Sequence, residues 1–363
     1  MSRSDPQGEF PQPDDVENAS VLAATSTSNE ELIASEYDGR NSLRKDSSSD
    51  TIKPRFNPED NLACITLDLE NDWYFDESGY DHLTFEYIDD YIELIQELDI
   101  PVTFFVVGRT LEQFPDVIDT LDAELDCEFH LHSYQHDTSK DYDFRTEVRR
   151  GIDAFENHFG HRPIGYRAPQ GNIEPHEFEI LKNEGFAFDS SIFPSYRPGV
   201  YSNLDKPLTP YRPKGTNELL EIPLGATPRT RIPLSHSYLK LIGWPFQSYL
   251  RRASLPPLVV YNTHLQDLYR TDSHEKLDQL KGFLFKRNMD RSEELFRWSV
   301  SLLRDRGYSF GTMTEAYEAY KESSGIELAY DESDVGSRAT MGEAEVDAKN
   351  GSEPLHSKES GNI

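Results

Sequence analysis

Apolar residues recur along the middle of the chain at two different spacings. The runs "LACITLDL", "PVTFFVVG", "CEFHLHS" and "LPPLVVYNTHL" are short and densely apolar, which predicts buried strands. "IGYRAP", "FAFDSS" and "NELLEIPL" read as further strands or strand ends. Between them the spacing turns helical. In "TFEYIDDYIELIQELD", Phe85, Ile88, Tyr91, Ile92 and Ile95 share one face. "TLEQFPDVIDTLD" predicts one helix capped by Thr110, and "DFRTEVRRGIDAFENHFG" predicts another ended by Gly160. "EPHEFEILKNEG" carries Pro175 in its first turn and Gly185 after its last, as a helix should. "RSEELFRWSVSLLRDRG" and "TMTEAYEAY" add two more helices. Strands alternating with helices over short links predict a parallel sheet covered by helices. The count favours a closed barrel of about seven parallel strands over an open doubly wound sheet.

The ends of the chain lack this periodicity. Residues 1–55 are rich in Ser, Asp, Asn and Glu, and residues 325–363 in Gly, Ser and Glu. Both are expected to be disordered acidic segments flanking one folded domain at 56–324. Composition narrows the class further. The net charge is -30, of which the two end segments carry -5 and -6, so -19 stays on the domain itself. No basic patch is visible in the sequence, which argues against a grip on nucleic acid phosphates. Lysine is scarce at 13 against 23 arginines. An acidic, lysine-poor surface suits concentrated salt, where self-repulsion is screened, so a halophilic source is expected. No run reaches the roughly 18 apolar residues of a membrane span. No apolar leader segment is visible, and the two cysteines, Cys64 and Cys127, read as core residues. The expected setting is the cytoplasm.

In such folds, chemistry gathers at the C-terminal ends of the strands. Those ends carry Asp68, Glu70 and Asp72 on the first strand, His132 and His136 on the third, then Arg167, Asp189 and His264. His132 and His136 are four apart, so a helical turn there would aim both imidazoles at one point. Neutral imidazole is a common ligand for zinc and related ions. A carboxylate from the first strand would complete a two-His, one-carboxylate face with open positions for water.

Taken together and in order, "TLDLENDW", "HSYQH", "RAPQG", "FDSSIFPS" and "VVYNTH" resemble the motifs of the polysaccharide deacetylases, the NodB-like metal-dependent carbohydrate esterases. The resemblance covers roughly residues 58 to 320. It implies a distorted (β/α) barrel and a hydrolase that removes N-acetyl groups from a sugar, a polysaccharide or its precursor. It implies a divalent metal ion, zinc by expectation, held by His132 and His136. It implies Asp68 as general base, Arg167 as the partner that orients it, and His264 as general acid. The family's usual second aspartate falls at Leu69, which cannot ligate. Glu70 replaces it in the reading, because residues 68 and 70 point to the same side of a strand; Asp72 is the alternative.

His130 lies on the same side as His132 but is outside the motif, so it reads as a core or supporting residue. Asp189 is read chiefly as a hydrogen-bonding residue that orients loops or sugar hydroxyls. Trp73, Tyr74, Tyr196 and Trp244 are core or mouth aromatics, on which sugar rings can stack. Two further functions stay open in the sequence. Relatives of this fold cleave cyclic amides with the same constellation, and a barrel that has lost catalysis would survive as a glycan-binding module. The sequence determines neither the sugar nor the oligomeric state.

Overall fold

The first strand, β1 (Leu62–Leu69), is buried along its whole length and is paired along both edges. Its side chains alternate between two apolar environments. Ala63, Ile65, Leu67 and Leu69 pack outward into the helical layer. Leu62 and Cys64 pack inward with Phe105 and Val260, and Thr66 and Asp68 follow them on the same side. Burial on both faces is why the segment reads as a continuous apolar run.

The computed structural model describes residues 55–73, 81–198 and 200–322. The two end segments expected to be disordered lie outside the described residues, Arg55 excepted, and so does Tyr74. β2 (Val102–Val106) pairs with one edge of β1, from Ile65↔Val102 to Leu69↔Val106. Beyond it come β3 (Cys127–Leu131), β4 (Gly165–Tyr166) and β5 (Phe188–Asp189). A separate antiparallel hairpin, β6 (Tyr196–Arg197) with β7 (Tyr201–Ser202), stands off the sheet. β8 (Leu220–Glu221) continues from β5. β9 (Leu258–Thr263) pairs with the other edge of β1, from Leu62↔Leu258 to Leu67↔Thr263. These seven strands are all parallel and curl into an incomplete barrel. An eighth, the two-residue β10 (Ser309–Phe310), adds at the foot of β1. Among the described residues no strand pairing joins β8 to β9. The gap is crossed where the Gly225 N–H donates to the Val260 carbonyl at 2.8 Å and Ser235 bridges Asn262.

The barrel interior is packed in its lower half. Cys64, Phe105, Phe188 and Val260 meet there, and the helix Met313–Tyr320 plugs the foot. The first amides of that helix find partners on the strands: Met313 N–H donates to Thr103 Oγ1 at 3.0 Å and Thr314 N–H to Glu128 Oε1 at 2.9 Å. Satisfying these otherwise orphaned donors is what makes a buried helix start tolerable. Gly165 marks how tight this packing is. A Cβ there would stand 2.2 Å from Phe188 Cζ, so no larger residue fits.

Helix ends follow the expected chemistry where the caps are visible in sequence. Asp143 accepts from Thr146 N–H to open Phe144–Phe159, and Gly160 closes it at φ 75°. The segment "TLEQFPDVIDTLD" departs from expectation. It forms two helices, Gly108–Gln113 and Pro115–Glu124, split at Phe114, and Thr110 sits inside the first rather than capping it. Pro115 causes the break, because it has no N–H and disfavours helical geometry at the residue before it. Four short helices after β8 were not legible in the apolar spacing: His236–Ile242, Trp244–Leu250, Leu265–Leu268 and Gln279–Phe285.

Candidate active site

Because the strands are parallel, their C-terminal ends all open on one side, and the strand-end residues converge there. Arg167 follows β4 and is 1% exposed. Its Nη1 donates to Asp68 Oδ1 at 2.6 Å and to Thr66 Oγ1 at 2.9 Å. Its Nε donates to the Ser190 carbonyl at 3.0 Å and its Nη2 to Ser190 Oγ at 3.2 Å. The guanidinium lies 3.9 Å over the ring of Phe105, which is its floor. A planar donor fork fixed on so many sides cannot rotate, so it sets the orientation of the Asp68 carboxylate.

The other oxygen of Asp68 faces the mouth. Oδ2 accepts from Asn262 Nδ2 at 3.3 Å and stands 3.5 Å from His264 Nε2. Burial pushes the Asp68 carboxyl up, but Arg167, then His132 and His264, outweigh it and hold the group well below the usual carboxylate range. Asp68 is therefore an anion throughout the neutral range. His264 is partly exposed at the end of β9. Burial lowers its pKa, while Asp267, Asp68 and Glu70 overcome this and raise it well above the usual histidine value. Its Nδ1 faces Asp267 Oδ2 at 3.3 Å, and Asp267 is in turn paired with the buried Lys240 at 3.0 Å. That leaves Nε2–H directed at the space between Asp68 and Glu70.

Glu70, His132 and His136 form a separate cluster beside this pair. One donor atom from each lies within 4.8 Å of the others, and all three residues are buried. Glu70 Oε2 stands 2.6 Å from His136 Nε2 and 3.7 Å from His132 Nε2. His132 Nδ1 donates to the Arg167 carbonyl at 2.8 Å, which leaves the Nε2 lone pair pointing at the cluster. Two neutral imidazole nitrogens and one carboxylate oxygen fit a divalent cation, with positions left over for water or substrate. Leu69 points the other way, into the helical core. Asp72, the alternative carboxylate, is already engaged: it accepts from Thr84 Oγ1 at 2.6 Å and from Ser273 Oγ at 3.1 Å.

The His132–His136 segment is not a helical turn, yet it still brings both imidazoles together. Ser133 and His136 adopt positive φ values of 64° and 57°, so the chain makes a tight loop. Such backbone is unfavourable for residues with a side chain and needs external support. Glu147 supplies it. Its Oε1 accepts from Ser133 Oγ at 2.7 Å, Tyr134 N–H at 3.1 Å and Gln135 N–H at 2.7 Å. Sequence reasoning missed Glu147, Asn262, Asp267 and Gln266, whose Nε2 donates to Glu70 Oε1 at 3.3 Å. Glu147 had one signal, a carboxylate on the apolar face of an amphipathic helix.

The remaining candidates separate from the site. His130 turns to the foot of the barrel and meets Glu128 Oε1 at 3.1 Å, outside the cluster. Asp189 accepts from Ser191 Oγ at 2.7 Å and Ser191 N–H at 3.0 Å, so it holds the segment that carries Ser190 under Arg167. Burial raises the pKa of both Asp189 and its neighbour Glu221. Trp73 stacks edge-on against His274 and Phe285 and donates to Ser273. Tyr196 is exposed on its hairpin. Trp244 is neither core nor mouth, being 75% exposed on another face.

Comparison with known proteins bears on the fold and on part of the chain. Residues 75–188 match the family model for polysaccharide deacetylase. A peptidoglycan deacetylase-like protein of Gibberella zeae is 30% identical over 94 residues, covering 25% of this chain and 28% of that protein's length. Among solved structures, a proposed polysaccharide deacetylase from Mycobacterium smegmatis superposes with a TM-score of 0.52 at 18% identity, covering 78% of this chain and 98% of that one. An allantoinase structure aligns with a TM-score of 0.47 at 16% identity, over 76% of this chain and 96% of the other. In fold the chain is a NodB-type distorted (β/α) barrel, and by its family match it is polysaccharide deacetylase-like.

Proposed function

We propose that the chain is a metal-dependent hydrolase that removes N-acetyl groups from a sugar, a polysaccharide or its precursor. One observation carries this reading: the Asp68 carboxylate, oriented by Arg167, and the His264 imidazole stand 3.5 Å apart beside the Glu70, His132 and His136 cluster. Amide hydrolysis needs a base for water, stabilisation of the oxyanion and an acid for the departing amine. In this assignment Asp68 accepts the proton of the attacking water, and Arg167 keeps its carboxylate charged and aimed. His264, held by Asp267, donates from Nε2 to the amine nitrogen as the C–N bond breaks. Glu70, His132 and His136 would hold a divalent ion, zinc by donor type, which would supply Lewis-acid polarisation of the acetyl group and a more acidic water.

The functional unit is taken as residues 56–324, and its partner as an N-acetylated glycan. Two free cysteines, Cys64 and Cys127, suit a reducing compartment such as the cytoplasm. Among the described residues no helix is long and apolar enough to cross a membrane.

The test is release of acetate from N-acetylglucosamine oligomers, with and without a chelator. Turnover that needs metal and falls about 10²-fold or more in Asp68→Asn and in His264→Ala supports the assignment. Metal binding without acetate release shifts the reading to a cyclic amide or another C–N bond. Neither metal nor turnover leaves a glycan-binding barrel.

A further inference from the structure

Acidic residues make up 66 of the 363 positions, yet the 45 residues from Ile222 to Gln266 contain none. The same stretch holds five basic residues: Arg229, Arg231, Lys240, Arg251 and Arg252. In a chain of net charge -30 this is a local reversal of sign, which the expectation of no basic patch overlooked. Lys240 is spent on Asp267 at 3.0 Å in the core, and Arg231 donates to the Lys206 carbonyl. The other three are exposed, and among the described residues none has a carboxylate partner.

Arg229 and Arg252 line a shallow cleft of about 420 Å³ with Trp244, Pro245 and Tyr249. Trp244 is 75% exposed. Pro245 beside it is exposed, and Leu241, Ile242 and Leu255 are partly so. The cleft lies toward the foot of the barrel. Arg306, which precedes β10, donates to the Leu250 and Ala253 carbonyls, and Tyr308 donates to the Pro256 carbonyl. His264 is at the opposite end of the adjoining strand.

We propose that this face is a peripheral docking surface for an anionic phospholipid bilayer. An exposed indole and proline set among arginines matches the boundary between headgroups and acyl chains, where tryptophan is favoured and guanidinium groups meet phosphate. A discrete small anion is the weaker fit, since each charged side chain in the cleft is exposed and no buried donor is aimed into it. A soluble polyanion would satisfy the arginines but leave the projecting indole in water. The charge distribution also dictates orientation. An anionic membrane repels the acidic remainder of the chain, which favours contact through this face with the His264 end pointing away from the lipid.

The experiment is co-sedimentation of the full-length chain, in 0.1 M KCl, with vesicles of phosphatidylcholine alone or mixed with phosphatidylglycerol. Binding is expected to the mixed vesicles and to be weak with phosphatidylcholine alone. Replacing Arg229 and Arg252 together by Gln is expected to lower partitioning about 25-fold, at about five-fold per arginine. Trp244→Ser is expected to lower it as well, and both variants should keep the parental melting temperature and acetate release. Absence of binding to either vesicle overturns the proposal. So does equal partitioning of parent and variants, or capture of polyphosphate with no affinity for the mixed vesicles.

Discussion

Arg167 Nη1 donates to Asp68 Oδ1 at 2.6 Å across the floor of the site, and both side chains are buried. Removing one partner of such a pair strands the other as an uncompensated buried charge, at a cost of about 3–5 kcal/mol. Arg167→Ala is therefore expected to lower both the melting temperature and turnover. Arg167→Lys should recover part of the stability and less of the rate, because a point charge cannot hold Thr66, Ser190 and Asp68 at once. Equal recovery of both would reduce Arg167 to a structural counter-ion.

The ligand assignment separates two adjacent residues. Glu70→Ala, His132→Ala and His136→Ala are each expected to weaken or abolish metal binding in a titration of the folded protein. Leu69→Ala should cost about 2–5 kcal/mol of stability, since Leu69 is fully buried in the helical core, and leave metal affinity unchanged. Stoichiometric metal in the His132 or His136 variant would remove the cluster from the chemistry.

Glu147 is expected to matter at a distance. It touches no proposed ligand, yet it accepts three hydrogen bonds from the loop between His132 and His136. Glu147→Ala should reduce metal affinity about 10–100-fold, the usual cost of losing a supporting partner of a metal ligand. Glu147→Gln, which keeps an acceptor oxygen, should lose less. Calorimetric titration of zinc into both variants decides it.

His236 sets an acid limit on stability. Its ring is fully buried against Ser292 and Tyr261, and burial lowers its pKa from 6.5 to about 3. Between those values the unfolded chain carries a proton here and the folded chain does not. Stability is thus intact above pH 6.5 and declines as pH falls toward 3, by a sum on the order of 5 kcal/mol. His236→Gln should flatten that part of the stability–pH curve relative to the parent. Parallel curves for the two proteins would show that His236 does not contribute.

Residues 56–324 carry -19 of charge with little lysine to offset it. At 0.01 M salt the carboxylates repel over roughly 30 Å, and at 1 M over about 3 Å. The melting temperature should accordingly rise with KCl up to molar concentrations. A flat or falling series would reject the expectation of a salt-adapted protein and leave the site assignment untouched.

The sequence by itself determined the barrel and most of its site. Strand periodicity is local, and in a parallel barrel the last residue of each strand always faces the same end, so Asp68, His132, Arg167 and His264 could be brought together from their positions in the chain. Glu70 was preferred over Leu69 because leucine cannot ligate and an Asp-x-Glu pattern resembles a branch of the family, and alternation along the strand supported that choice. Only the tertiary structure decided what supports these groups. Glu147 reaches back 12 to 14 residues to the loop before His136, and Asp267 links His264 to Lys240 across three elements. Such contacts depend on side chains meeting across loops, and no period in the sequence encodes them. The loop at Ser133 and His136 shows the same limit. The four-residue spacing pointed to a helical turn, whereas a carboxylate from a neighbouring helix stabilises left-handed backbone there, because its three accepted hydrogen bonds outweigh the local preference.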